Sequence, residues 1–137
     1  MIKLSKMTDY AVIILAEMAA HKGGLNSAAF IAESTQLPEP TVSKILKLLA
    51  RQNIVTSTRG SNGGYCLNKA PEQITMALVI TATDGPIRLT ACVDQKDDCC
   101  ERAKGCSMKG QWNPVNQAMQ TALENVSLKQ MMGNMNG

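Results

Sequence analysis

Four cysteines, Cys92, Cys99, Cys100 and Cys106, fall within fifteen residues of a segment otherwise rich in Asp, Lys, Gln and Gly. So polar a stretch cannot build a core of its own, and something else must order it. Thiolates are soft donors that select iron–sulfur clusters, zinc or copper(I). Gaps of five to seven residues between these donors exceed the Cys-x₂₋₄-Cys clip of a zinc knuckle. The spacing favours a loop wrapped around a larger inorganic core. Inert thiols, or a regulatory disulfide with one spectator of the adjacent Cys99 and Cys100, are the alternatives. Cys66 stands apart between Tyr65 and Leu67, and reads as a small buried hydrophobe. His21 is the only histidine and reads as an exposed cap after the first helix. No serine, histidine and acid constellation and no phosphate-cradling loop accompanies these residues, so the chain is expected not to be an enzyme.

Compartment decides how the thiols are read. Lys3 and Lys6 precede an apolar run over residues 10–16 that superficially resembles a signal peptide, but Asp9 and Glu17 cut it short. No stretch approaches the roughly 18 apolar residues of a membrane span. The expectation is a cytoplasmic protein without a membrane partner, where clustered cysteines bind metal or sense redox state rather than staple a fold.

The chain that positions these groups has 137 residues, 45% apolar and 18% charged. That excludes two large domains and a disordered chain, and allows burial of roughly two thirds of the unfolded surface. Aromatics are only 3% beside nine methionines, a mix that favours helices over a β-sandwich. The net charge of +3 is unevenly spread: residues 1–80 hold eight basic and five acidic side chains, and the remainder holds six of each. That distribution suits an anionic partner at the first part, with nucleic acid the first candidate; solvated surface charge is the alternative, and a motif is needed to decide between them.

Apolar residues at helical spacing predict a first helix over residues 8–20, stopped by His-Lys-Gly-Gly. Asn26 and Ser27 cap a short second helix through Glu33, and a turn over residues 34–37 follows. Pro40 is tolerated near a helix start, so a third helix runs over residues 40–52. Its apolar stripe is Val42, Ile45, Leu46 and Leu49; Thr41, Ser43, Lys44, Lys47 and Arg51 lie on the other faces. Strand, Gly-rich turn and strand then occupy residues 54–58, 59–64 and 65–68. Two short helices followed by a hairpin make a winged helix-turn-helix, whose third helix enters the DNA major groove. Arg59 at the hairpin tip suits the minor groove, with glycines keeping the loop thin, and Ser61 and Asn62 of the same loop are further candidate DNA contacts.

An apolar helix over residues 74–82 ends at Thr83-Asp84-Gly85-Pro86. After the cysteine segment, Trp112, Val115, Met119, Ala122 and Val126 alternate at intervals of three and four, a coiled-coil seam. A lone helix of that length is marginal in water, so the stripe calls for a partner: a second chain, whose homodimer would read a palindromic operator, or, as the alternative, docking within the chain. The expected class is mainly α with a small β-hairpin wing: residues 1–83 a DNA-binding domain, 84–110 a cluster-binding loop, 111–137 a dimerisation helix and tail.

The phrases SKMTDYAV, PTVSKILKLLARQNIV and RGSNGGY, with three cysteines before a terminal helix, resemble the IscR/NsrR-type winged-helix regulators over nearly the whole chain. MTDYAVIIL, PTVSKILK, GPIRLTAC and the Trp112 helix are most similar to regulators of the SUF iron–sulfur assembly system. The resemblance implies a homodimeric DNA-binding regulator, a repressor in the first instance, of iron–sulfur assembly genes. It implies a bound cluster, 2Fe-2S ahead of 4Fe-4S, held by three cysteines and one further ligand. Cys92 and Cys106 match the outer ligands; counting from Cys92 selects Cys99 as the middle one, and counting back from Cys106 selects Cys100. Where IscR-like members place a ligating histidine this chain has Lys109. NsrR-like members use an aspartate of the first helix from the other subunit, and Thr8-Asp9-Tyr10 matches, so Asp9 is the implied fourth ligand. Thr41, Ser43, Lys44 and Arg59 match the family's DNA contacts, and Lys47 lies on the same outward face; Pro40 and Lys44 depart from IscR. A zinc-stabilised or thiol-redox-switched DNA-binding protein is the alternative.

Overall fold

The computed structural model describes residues 5–21, 24–60, 63–87 and 111–135. Helix α1 (Lys6–Ala20) starts where the Ser5 hydroxyl accepts from the Thr8 amide at 3.2 Å, and ends at the exposed cap His21, whose ring meets Glu17 at 2.8 Å. Helix α2 (Ala28–Thr35) is capped by Ser27, as its sequence requires, and stops at Gln36, held at φ 60° with its amide donating to the Ala32 carbonyl. Helix α3 (Glu39–Arg51) starts one residue earlier than expected, since Pro38 sets an extended backbone just before it. The left-handed Gln36 is what turns the chain sharply enough to bring α3 across α2.

Strands β1 (Val55–Thr58) and β2 (Gly64–Leu67) pair antiparallel with Val55 opposite Leu67 and Thr58 opposite Gly64. Gly63 must be glycine: a Cβ there would overlap the Thr58 carbonyl, which closes the loop beside the Gly63 amide's bond to Gly60 O. The hairpin is tied down at two points. Asn26 exchanges both backbone hydrogen bonds with Tyr65 (2.9 and 2.8 Å), and Asn68 donates from its amide to Ile54 O and from its side chain to Asn53 O, each at 2.9 Å. The wing is therefore fixed to the segment entering α2 and to the end of α3.

A 3-10 turn (Pro71–Gln73) leads to α4 (Met76–Asp84), capped by Thr75 and closed by Gly85 at φ 84°. One core joins the helices. Ile14 and Leu15 of α1, Ile31 of α2, Val42, Ile45, Leu46 and Leu49 of α3, and Val79 of α4 are wholly buried in it. The apolar stripe on α3 is the face expected from its spacing. The fold is thus mainly helical with a two-stranded wing.

The C-terminal region differs from the single seam helix expected. Helix α5 (Asn113–Glu124) stops before Val126, and α6 (Leu128–Met135) begins beyond it. The reason is local. Ser127 and Gln130 form a reciprocal capping box, the Gln130 amide donating to Ser127 Oγ at 3.2 Å and the Ser127 amide to Gln130 Oε1 at 2.8 Å. Tertiary contacts then fold α6 back. Leu128 is fully buried in the core, its amide donating to Ile74 O at 2.7 Å, while the Met76 amide donates to Val126 O at 2.9 Å. Val126 packs toward the core and leaves the stripe. Cys66 also departs from expectation: it is half-buried rather than buried, and lines a cleft with Met18, Leu67 and Pro71 of about 540 Å³. Among the described residues no helix is long and apolar enough to cross a membrane.

Candidate nucleic-acid interface and cofactor segment

Burial of Val42, Ile45, Leu46 and Leu49 forces the opposite side of α3 outward, and that side carries Lys44, Lys47 and Arg51, all exposed. Thr41 and Ser43 are half-buried on its flanks. The helix presents its first turn free of a side-chain cap, because Pro38 has none to offer. In a helix-turn-helix the N-terminal residues of this second helix meet base edges in the major groove. Arg59 is exposed at the end of β1, just before Gly60 at φ 118°. Ser61 and Asn62 lie outside the described residues. Helix and wing thus put four exposed cations, Lys44, Lys47, Arg51 and Arg59, on the reading module.

Cys92, Cys99, Cys100, Cys106 and Lys109 also lie outside the described residues, but both roots of their segment are described. Asp84, at the end of α4, accepts from Ser5 Oγ (2.7 Å) and from Thr8 Oγ1 (2.9 Å). Thr8 is almost fully buried and meets Thr83 Oγ1 at 2.7 Å as well. This clasp fastens the start of α1 to the point where the chain leaves for the cysteines. On the other side, buried Asn116 of α5 donates from Nδ2 to Ile87 O at 2.9 Å. The TD pair was legible in the sequence as a ligand motif, but nothing local announced that its threonine would grip residue 84, or that Asn26 would pair with Tyr65.

Asp9 follows Thr8 in the first turn of α1. It is exposed, and its carboxylate has no hydrogen-bond or ion-pair partner among the described residues. It stands at the rim of an apolar groove of about 540 Å³ walled by Val12, Met76, Ile80, Leu123, Val126 and Met131. An exposed carboxylate without an ion pair among the described residues, together with four thiols that lie outside them, is a donor set that suits a cluster with three soft ligands and one hard one. Along α5, Trp112 and Val115 are 40% and 46% exposed, Ala122 is exposed and Met119 half-buried. The apolar stripe therefore survives over residues 112–122 as an uncovered surface of the chain.

The profile of the Rrf2 family, described as an iron-dependent transcriptional regulator, matches residues 4–134. The HTH-type transcriptional regulator IscR of Erwinia tasmaniensis is 28% identical over 96% of this chain and 79% of its own length. The NsrR regulator of Halalkalibacterium halodurans is 27% identical over 96% of this chain and 91% of its own. The solved structure of CymR, the global cysteine regulator of B. subtilis, superposes with a TM-score of 0.72 at 27% identity, covering 98% of both chains.

Proposed function

The chain belongs to the Rrf2 family of transcriptional regulators, and from that premise we propose that it is a cytoplasmic, homodimeric repressor of iron–sulfur cluster assembly genes, governed by a cluster of its own. Cys92, Cys106 and one of Cys99 and Cys100 hold the cluster, 2Fe-2S ahead of 4Fe-4S, and Asp9 supplied across the dimer is the fourth donor. When bound, the cluster supplies a redox- and iron-responsive centre. The observation that carries this reading is the exposed Asp9 carboxylate, without a partner among the described residues, next to the Thr8 that grips Asp84 where the chain leaves for four clustered thiols.

The chain's own residues provide the route to DNA. Asp9 rides on α1, and Ile14 and Leu15 of the same helix share a core with Ile45, Leu46 and Leu49 of α3. Close-packed interiors transmit small shifts instead of absorbing them. A change in what holds the first turn of α1 therefore biases the placement of the recognition helix, which is the differential contact a two-state switch requires. The α5 stripe supports pairing of two chains, which would set two recognition helices on a palindromic operator. In this reading residues 1–83 bind DNA, 84–110 hold the cluster and 111–137 pair the subunits, with α6 also completing the core.

Anaerobic purification followed by visible absorption, electron paramagnetic resonance and iron, sulfide and zinc analysis tests the reading. A coloured protein with iron and sulfide in equal amounts is expected, with different operator affinities for the loaded and stripped forms. A colourless protein with one zinc per chain would replace the reading by a zinc-stabilised or thiol-switched regulator, the alternative that the likeness to the cysteine regulator CymR supports. Asp9→Ala is expected to change the spectrum or shorten the cluster's lifetime; an unchanged spectrum and lifetime remove Asp9 as a ligand.

A further inference from the structure

Between Glu33 and Glu72 the chain carries five basic side chains, Lys44, Lys47, Arg51, Arg59 and Lys69, and a single acid, Glu39. That stretch holds the recognition helix and the wing, where an acid is repelled by every phosphate in reach. The one acid sits at the leading end of the module: Glu39 is the first residue of α3, exposed, with no hydrogen-bond or ion-pair partner among the described residues. No lysine or arginine lies three or four residues on, since those positions are Val42 and Ser43.

A carboxylate at this place changes what the helix end can bind. An uncapped N-terminus attracts phosphate through its partial positive charge and free amides. Glu39 offsets that charge, and Pro40 removes one of the amides. The tip of α3 is thus unsuited to gripping the DNA backbone and is left to face base edges. In the major groove the donors available to a carboxylate are the amino groups of cytosine and adenine. Adenine places its N7 acceptor beside the amino group, where it repels a carboxylate and suits a carboxamide, whereas cytosine N4 is the matching partner of Glu or Asp.

We propose that Glu39 is a specificity-determining residue that accepts a hydrogen bond from the N4 amino group of one cytosine in each half-site. The inference rests on DNA binding by this family and not on the cofactor, so it stands or falls apart from the cluster reading. The test is selection of sites from a randomised duplex library by the full chain and by its E39A and E39Q variants, followed by competition titrations on the selected sites. The parent is expected to fix a cytosine at one position per half-site. Glu39→Ala should lower the preference for it about tenfold, with a slight rise in affinity for non-specific DNA. Glu39→Gln should move the preference at that position toward adenine. Thermal melting of each variant registers the separate contribution of a charge at the helix end. If all three proteins select the same sites with the same relative affinities and differ only in melting temperature, Glu39 serves the helix dipole alone and the proposal is wrong.

Discussion

Salt dependence of operator binding measures the cationic surface most directly. Each lysine or arginine that neutralises a phosphate releases condensed counterions, and the slope of log K against log salt falls by about 0.9 per contact. Lys44, Lys47, Arg51 and Arg59 are exposed on one chain, so a dimer offers about eight such contacts and a slope near −7. Affinity should then drop about ten-thousandfold between 50 and 200 mM salt. Lys47→Ala removes two contacts per dimer. It should make the slope shallower by about 1.8 and weaken binding at 150 mM salt about thirtyfold, or ~2 kcal/mol. Fluorescence anisotropy of a labelled operator duplex across a potassium chloride series reads both numbers. A parent slope weaker than about −3, or a Lys47→Ala slope equal to the parent's, would refute the placement of this face on the phosphate backbone.

Three further perturbations probe other parts of the fold. Leu128→Ala removes a fully buried side chain and should cost about 3 kcal/mol, lowering the melting temperature by roughly 10 °C independently of protein concentration; a change below about 2 °C would mean that α6 contributes little to the core. Gly63→Ala drives a Cβ into the Thr58 carbonyl and should distort the wing, weakening operator binding with little loss of global stability in calorimetry; unaltered binding would show that the wing tip adds nothing. Ala122→Glu places a charge in the exposed stripe of α5 and should shift sedimentation toward monomer while leaving the monomer's helix content intact; a dimer as stable as the parent would place the subunit contact elsewhere.

Features set by neighbours in the sequence were legible before the structure. The spacing of Val42, Ile45, Leu46 and Leu49 dictates which face of α3 is buried, and hence that Lys44 and Lys47 point outward, because helical periodicity needs no tertiary information. Ser27 as a cap and the glycines of the wing are equally local, since a side-chain oxygen near a helix start and a turn that tolerates no Cβ act within a few residues. Four thiols in fifteen residues raise metal or redox chemistry by donor type alone, and they lie outside the described residues. Even the break between α5 and α6 had a local signal in the Ser127 and Gln130 capping box, outweighed in the sequence reading by a seam that ran through it.

What only the folded chain decided are the pairings between distant segments. The destination of α6, the exchange between Asn26 and Tyr65, the grip of Thr8 on Asp84, and the half-open position of Cys66 each depend on which surfaces meet once the core has formed. Residues 8 and 84 have no shared periodicity; they meet because α1 and α4 bury their apolar faces against each other and leave a hydroxyl beside a carboxylate. Local sequence specifies helices, turns and donors through short-range sterics and hydrogen bonding, whereas their mutual placement follows from burying one common core, a property of the whole chain.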